Sequence, residues 1–332
     1  MRSTLSLLAI GIGVTLVAGC GSPVTPTTPT SAAGGAVTIT NCGREVTVAG
    51  APGAAVGLSP SQTELLLRLG LAGSLVGQAQ TATAPLPEDV AGLAADVAVL
   101  SESKPPSREQ LLNAKPDFVF SPTTYEFNAE QGFASLEQLR EAGVAAYVAT
   151  GGCADRRMSG TVEDVFTDLE NLGKVFAVPD KAAPLIEKGK ADLAEVDAAL
   201  ANREKPTVAQ VYLEGTTVTA IGAGIEYDII RRAGGDNVFS PQDPQFAKFF
   251  AAQITPEALA AANPDALVFA ANSPEHRQST VDYLTRTFPD MTAVREQRLI
   301  AIDASDTYPG TLGNVSVVRE IAERLHPDAF TS

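Results

Sequence analysis

The sequence predicts an α/β chain of two lobes, each built on a mostly parallel sheet, joined by one long α-helix. Three observations predict it. The segment "EQLLNAKPDFVF" beginning at Glu109 returns as "EALAAANPDALVF" beginning at Glu257, with Glu, Leu, Ala, Pro and Asp at the same spacing and an apolar run after them. An offset of 148 residues is too long for a solenoid unit and is the size of a whole domain, so each lobe carries one copy of a helix-to-strand unit. Strand-like and helix-like segments also alternate along both halves, which implies crossover connections and a sheet covered on both faces. Between the halves, residues 180–201 carry Leu185, Gly189, Leu193, Val196 and Leu200 at the spacing of one helix face.

The N-terminus gives an address. Arg2 precedes the apolar run "LSLLAIGIGVTLVAG", which is too short to span a bilayer and reads as a signal peptide over residues 1–19. It ends in Leu16-Val17-Ala18-Gly19-Cys20, which resembles the bacterial lipobox, so Cys20 is the expected lipidation site. Two acyl chains suffice for stable anchoring where one is marginal. Residues 20–36 are rich in Pro, Thr, Ser and Gly and form a lipidated tether reaching roughly 20 Å as a flexible coil.

The N-terminal lobe is expected over residues 37–178. "AVTITNCGREVTV" alternates apolar and polar residues about Cys42-Gly43 and reads as a hairpin. A strand to Leu58 follows, then a helix over 61–70 and strands at "SLVGQ" and "VAVL". Next come a helix over 107–114, a strand over 117–120, a helix over 130–142 and the strand "AAYVAT". Ser107 is placed to cap its helix, with Glu109 in the favourable first turn. Thr255-Pro256-Glu257 repeats the arrangement with Pro at the first helical position. The interlobe helix, within residues 179–203, confines both its prolines to the first turns and spans roughly 33 Å. A single stiff helix permits rocking and discourages a wide hinge. The C-terminal lobe, residues 204–332, runs through "PTVAQVYLEG", "TVTAIGAGIEYDIIRRAGGDNVF", the Glu257 unit and "RLIAID" to a closing helix over 311–326.

Composition and motifs exclude several functions. A net charge of −15 repels polyphosphates, and without Trp, with Phe and Tyr scattered, the chain lacks a base-stacking platform; nucleic acid is not an expected partner. "GLSPS" lacks the final Gly of a nucleophile elbow, and Gly222-x-Gly224 is followed by Tyr227 where dinucleotide binding requires a third Gly. The only histidines, His276 and His326, have no partner spacing for a metal or a base; His276 reads as an exposed helix start and His326 as a cationic ring at a helix end. Of the three cysteines, Cys42 and Cys153 remain once Cys20 carries lipid, and an exported chain meets oxidising conditions, so a Cys42–Cys153 disulfide is expected. Reactive-thiol chemistry is the rival, with no His near either cysteine in sequence.

The signal and lipobox, "SPSQTELLLRLGLAGSLVGQ", "SREQLLNAKPDFVF", "TVEDVFTDLENLGKVFAVPDKA", "IRRAGGDNVF" and "TPEALAAANPDALVF" together resemble the extracytoplasmic binding proteins of iron-siderophore and cobalamin ABC importers, over nearly all of residues 37–328. The resemblance implies two Rossmann-like lobes on a rigid helix, a ligand in the cleft and one Glu per lobe that meets arginines of the permease dimer; those fall on Glu109 and Glu257. It implies a monomer that needs no cofactor or protein-held metal and delivers a small-molecule metal chelate, a ferric siderophore or alternatively a corrinoid. A secreted α/β enzyme or a ligand-free surface lipoprotein is the alternative of another class.

In open α/β sheets the ligand sits outside the carboxyl ends of the strands. The loops there offer Ser61, Gln80, Tyr125, Phe127, Arg156, Arg157 and Tyr308, with Tyr227 on a neighbouring segment, as amphipathic or charged groups suited to a large chelate. Glu126, Glu214 and Asp306 near the same mouth favour a neutral or cationic ligand over an anionic one.

Overall fold

The computed structural model describes residues 35–330. The expected signal peptide, Cys20 and tether residues 20–34 lie outside the described residues. Among the described residues no helix is long and apolar enough to cross a membrane.

The chain opens with the expected hairpin, β1 (Val37–Asn41) and β2 (Arg44–Val48). Cys42 and Gly43 take positive φ of 49° and 68°, as both central residues of a tight hairpin turn require. The Asn41 side chain donates to Val148 O at 2.7 Å and accepts from Val148 N at 2.8 Å, so it caps the free edge of the first large sheet as a strand would.

That sheet is built from β3 (Ala55–Gly57), β4 (Leu75–Ala79), β5 (Val99–Ser101), β6 (Phe118–Ser121) and β7 (Ala145–Val148). Its order is β5-β4-β3-β6-β7 and every pairing is parallel. β3 and β6 are buried at every position, which is why their sequences run apolar without alternation. The crossovers carry α1 (Pro60–Arg68), α2 (Glu88–Ala91), α3 (Arg108–Asn113) and α4 (Leu136–Glu141). Ser107 with Gln110 and Ser135 with Gln138 form full capping boxes at α3 and α4. The single helix expected over 130–142 is instead a short 3-10 turn, Ala129–Gln131, and then α4. Gly132 breaks it in the left-handed region, φ 84°.

The connecting layer holds α5 (Asp164–Val175) and the 22-residue α6 (Pro179–Leu200), matching the expected interlobe helix to within a residue at each end. Pro179 opens α6 and Pro184 sits inside it, in the second turn. Gly189 is required by packing: a Cβ there would lie 2.6 Å from the Phe166 ring.

The second lobe contains β8 (Thr207–Glu214), β9 (Thr217–Ile221), α7 (Gly224–Arg232), β10 (Asp236–Asn237) and β11 (Ala251–Ile254). After these come α8 (Pro256–Ala262), β12 (Ala266–Ala271), α9 (Pro274–Thr287), α10 (Thr292–Arg295), β13 (Leu299–Asp303) and α11 (Gly313–Leu325). Its sheet runs β11-β9-β8-β12-β13 with β10 also on β8. The β10, β12 and β13 pairings are parallel; β9 and β11 are antiparallel. The cause is local: only Gly215 and Thr216 separate β8 from β9, and a parallel return needs a long crossover.

The repeated segment has a structural use in both lobes. Asp117 accepts the amides of Gly53 and Ala54, at 2.8 and 2.9 Å, just before β3, the strand beside β6. Asp265 accepts Thr207 N and Oγ1, both at 2.8 Å, at the start of β8, the strand beside β12. Each Pro-Asp therefore ends a helix and pins the start of the neighbouring parallel strand.

One hydrophobic core runs through both lobes. It includes Phe166 and Leu169 of α5, Leu193 and Val196 of α6, Ile229 and Ile230 of α7, and Val318 and Ile321 of α11. Exposing any one of these fully costs about 1.5–3 kcal/mol, so wide separation of the lobes is strongly opposed. Polar ties flank the cleft as well. Asp228 of α7 accepts Val162 N at 3.0 Å, and Arg232 bridges Glu163, Asp197 and Asp228. On the other flank Gln62 donates to Pro309 O at 2.9 Å.

Candidate functional site

Strand order reverses between β3 and β6 in one sheet and between β8 and β12 in the other, and such switch points open a crevice at the carboxyl ends of strands. A cleft of about 500 Å³ lies there, walled by both lobes. The first lobe contributes Gln80 after β4, Thr123, Tyr125 and Glu126 after β6, and Gly151 and Arg157 after β7. The second contributes Tyr212 of β8, Thr219 and Ile221 of β9, the start of α7 from Gly224 to Glu226, and Phe250 before β11. The loop after β13 adds Thr307, Tyr308 and Pro309. Tyr125 and Tyr308 remain 54% and 43% exposed, leaving two aromatic faces open for contact at the rim.

The Arg157 wall is held from behind. Cys42 and Cys153 are joined by a disulfide, and Cys153 O accepts the Arg156 and Arg157 amides at 2.9 and 3.0 Å, forming the turn that carries both arginines. From α5, fully buried Asp168 accepts from Tyr147 Oη and Thr150 N, each at 2.8 Å, and from Thr150 Oγ1 at 2.6 Å. Burial pushes its carboxyl up to about 7 against the pull of those bonds. From the other lobe, the start of α7 closes onto the same turn: Gly224 has φ 74°, and a Cβ there would lie 2.6 Å from Arg157 O.

Charge in the cleft is sparse. Arg157 lies over the Phe250 ring, 4.6 Å from its centroid. Glu126 is buried, its Oε2 accepting from Thr123 Oγ1 at 2.6 Å and Ser121 Oγ at 3.1 Å. Half-buried Glu226 accepts from Gln210 Nε2 at 3.0 Å. Burial pushes its carboxyl up to about 7, with Arg157 the opposing pull. Among the described residues no three His, Cys, Asp or Glu side chains converge as metal ligands.

Of the residues expected from sequence, Gln80, Tyr125, Arg157 and Tyr308 line this cleft and the other four do not. Arg156 turns away to an ion pair with Asp164 at 2.6 Å. Phe127 is buried in the first lobe's core with Leu58 and Val119. Tyr227 follows Glu226 on α7 and is rotated about 100° off the cleft face. Ser61 lines an adjacent cavity of about 1010 Å³, shared with Glu64 and Asp306. Sequence reasoning missed Tyr212, Glu226 and Phe250. The one available signal was Gly222-Ala223-Gly224, whose spacing marks a close strand-to-helix turn without any nucleotide.

Glu109 and Glu257 are exposed in the first turns of α3 and α8 and, among the described residues, make no ion pair. His276 is half-buried, with Nε2 2.7 Å from Leu213 O. His326 departs from the cationic ring expected: burial pushes its pKa down, despite a 3.1 Å contact from Nε2 to Gly234 O.

The sequence model of the periplasmic binding protein family matches residues 56–305. The chain is 23% identical over 337 residues to YvrC, an uncharacterized ABC transporter substrate-binding lipoprotein of Bacillus subtilis (strain 168), covering 97% of this chain and 96% of that one. Among solved structures it is similar to a periplasmic binding protein from Veillonella parvula, with TM-score 0.77 and 24% identity over 88% of this chain and 98% of that one. It is also similar to an ABC-type Fe3+-hydroxamate transport system protein from Saccharomonospora viridis, with TM-score 0.69 and 24% identity over 89% and 99%. At these identities the solved structures speak for the fold.

Proposed function

Because the chain belongs to the periplasmic binding protein family, we propose that it is the extracytoplasmic substrate-binding lipoprotein of an ABC importer, and that its cleft carries a ferric siderophore or a related metal chelate. The family makes it a binding protein rather than an enzyme. The observation that carries the ligand assignment is the cleft itself: a mostly apolar, aromatic-rimmed crevice at the strand ends of both lobes, with three charged side chains. Such a wall suits a preformed chelate with a large organic surface. The Saccharomonospora viridis protein, named for ferric hydroxamate transport, supports the same ligand class, and the Bacillus subtilis relative, named a lipoprotein, supports acylation at Cys20.

Delivery follows from Glu109 and Glu257. Both are exposed, unpaired and equivalent in the repeat, as two contacts to the two subunits of a permease require. Charge complementarity of this kind fixes orientation and suppresses wrong partners. The test is native mass spectrometry with metal analysis on the full chain purified in detergent. One chelate retained per chain is expected; no retention across a panel of ferric chelates and corrinoids would overturn the ligand assignment, and turnover of a compound would point to an enzyme.

A further inference from the structure

We infer that the ligand of this cleft carries a positively charged group, an ammonium or guanidinium, which pairs with Glu226, and that Glu226 selects it against neutral and anionic chelates. The inference rests on the reading of the cleft as a chelate site and adds its charge class.

The cleft holds one cation against two carboxylates, because Arg156 is committed to Asp164 outside it. Arg157 has Phe250 beneath it and feels both Glu226 and Glu126, so its charge is already answered. Glu126 is fixed by two hydroxyls. Glu226 is different: its only bond is from Gln210, and no cation lies within ion-pair distance of it among the described residues.

Gln210 supplies the second observation. It is 1% exposed on β8, its amide nitrogen is used on Glu226, and its Oε1 is buried without any donor. A proton on Glu226, with the amide turned over, would satisfy that oxygen; a ligand cation would satisfy the carboxylate instead. The pair is therefore short of one positive charge, which a ligand can bring. Glu226 faces Arg157 from the turn after Cys153, Glu126 from the turn after β6, Tyr212 from β8 and Tyr308 from the loop after β13. The aromatic faces among these favour a cation further. An anionic chelate would meet two carboxylates with the single arginine already engaged.

Burial lifts Glu226 to about 7 against the pull of Arg157. A bound cation favours the ionised form, so binding releases a proton and affinity rises as pH passes from about 6 to about 8.

The test uses two probes on the full chain in detergent: a ferric trihydroxamate bearing one free ammonium arm, and its N-acetylated, uncharged twin. Calorimetry in two buffers of different ionisation enthalpy is expected to give at least tenfold tighter binding of the ammonium form, with proton release near pH 6.5, and a pH-independent twin. Glu226→Gln should shrink the preference to within threefold, and Glu226→Asp, which keeps the charge, should retain it. Equal or tighter binding of the twin, tighter binding of an anionic ferric tricatecholate, or an unchanged preference in Glu226→Gln would overturn the inference while leaving the chelate site standing. Binding of none of them would overturn both.

Discussion

Replacing Asp117 or Asp265 by Ala tests whether the repeated Pro-Asp pins strands or merely stops helices. Asp117→Ala removes the acceptor of two backbone amides, at 2.8 and 2.9 Å, and Asp265→Ala that of Thr207 N and Oγ1, both at 2.8 Å. Bonds to a charged group contribute about 1.5–3 kcal/mol when shielded. Both sites are solvent-accessible, so about 1 kcal/mol per bond is the better figure, or about 2 kcal/mol per variant. For a chain of this size that lowers Tm by about 4 °C, measurable by far-ultraviolet circular dichroism. The two aspartates serve different sheets, so the double variant should lose the sum to within about 0.5 kcal/mol. A pH series adds a sign. The bonds from Thr207 hold the Asp265 carboxyl below the usual carboxylate range. Its contribution is thus present above the unfolded pKa and fades as pH falls through the lowered folded value, and the deficit of Asp265→Ala should shrink in acid. If both variants match wild type to within about 0.5 kcal/mol while Ser107→Ala costs the about 1 kcal/mol of a lost helix cap, the pinning argument is refuted.

Other expectations are as direct. Glu109→Lys and Glu257→Lys should each lower transport while ligand affinity, measured by calorimetry, stays at wild type; lost ligand binding with an intact permease complex would put these glutamates in the cleft. Removing the disulfide by Cys42→Ser with Cys153→Ser opens a 111-residue loop, for which chain entropy sets an upper loss of about 4.7 kcal/mol. Because the same cysteine holds the Arg157 turn, ligand affinity should fall too, and unchanged affinity would deny that link. Cys20→Ser should abolish lipid labelling and release the protein from membranes; a labelled, membrane-bound variant would refute acylation there.

Local chemistry was legible in the sequence. The Cys42-Gly43 turn, the Ser107 and Thr255 caps and the face of α6 are each written within a few residues, and the structure has them. The antiparallel return of β9 is equally local, set by the two-residue link Gly215-Thr216. What the sequence could not supply was direction. Arg156 and Arg157 are neighbours of the same type, and only Asp164, drawn in by the packing of α5, takes one and leaves the other. Tyr125 and Phe127 part in the same way, one to the rim and one to the core. The far wall, Tyr212, Glu226 and Phe250, depends on how α7 and the β9–β11 edge meet the first lobe, a contact between segments too distant in the chain for any spacing rule to express.

The first hairpin has a mechanical side. A pull applied at residue 35 enters at Val37, paired with Val48 at the open end, so β1 would peel rung by rung like a zipper. Peeling β1 pays out five residues, Val37–Asn41, roughly 17 Å of slack, and meets a covalent stop at Cys42. Beyond that point, with the Asn41 bonds to the sheet edge already broken, the tension travels through sulfur to Cys153, where it tugs on the turn bearing Arg157. A pull on the chain ahead of β1 would thus reach the ligand's wall through a covalent link, once Ile39 had left the core.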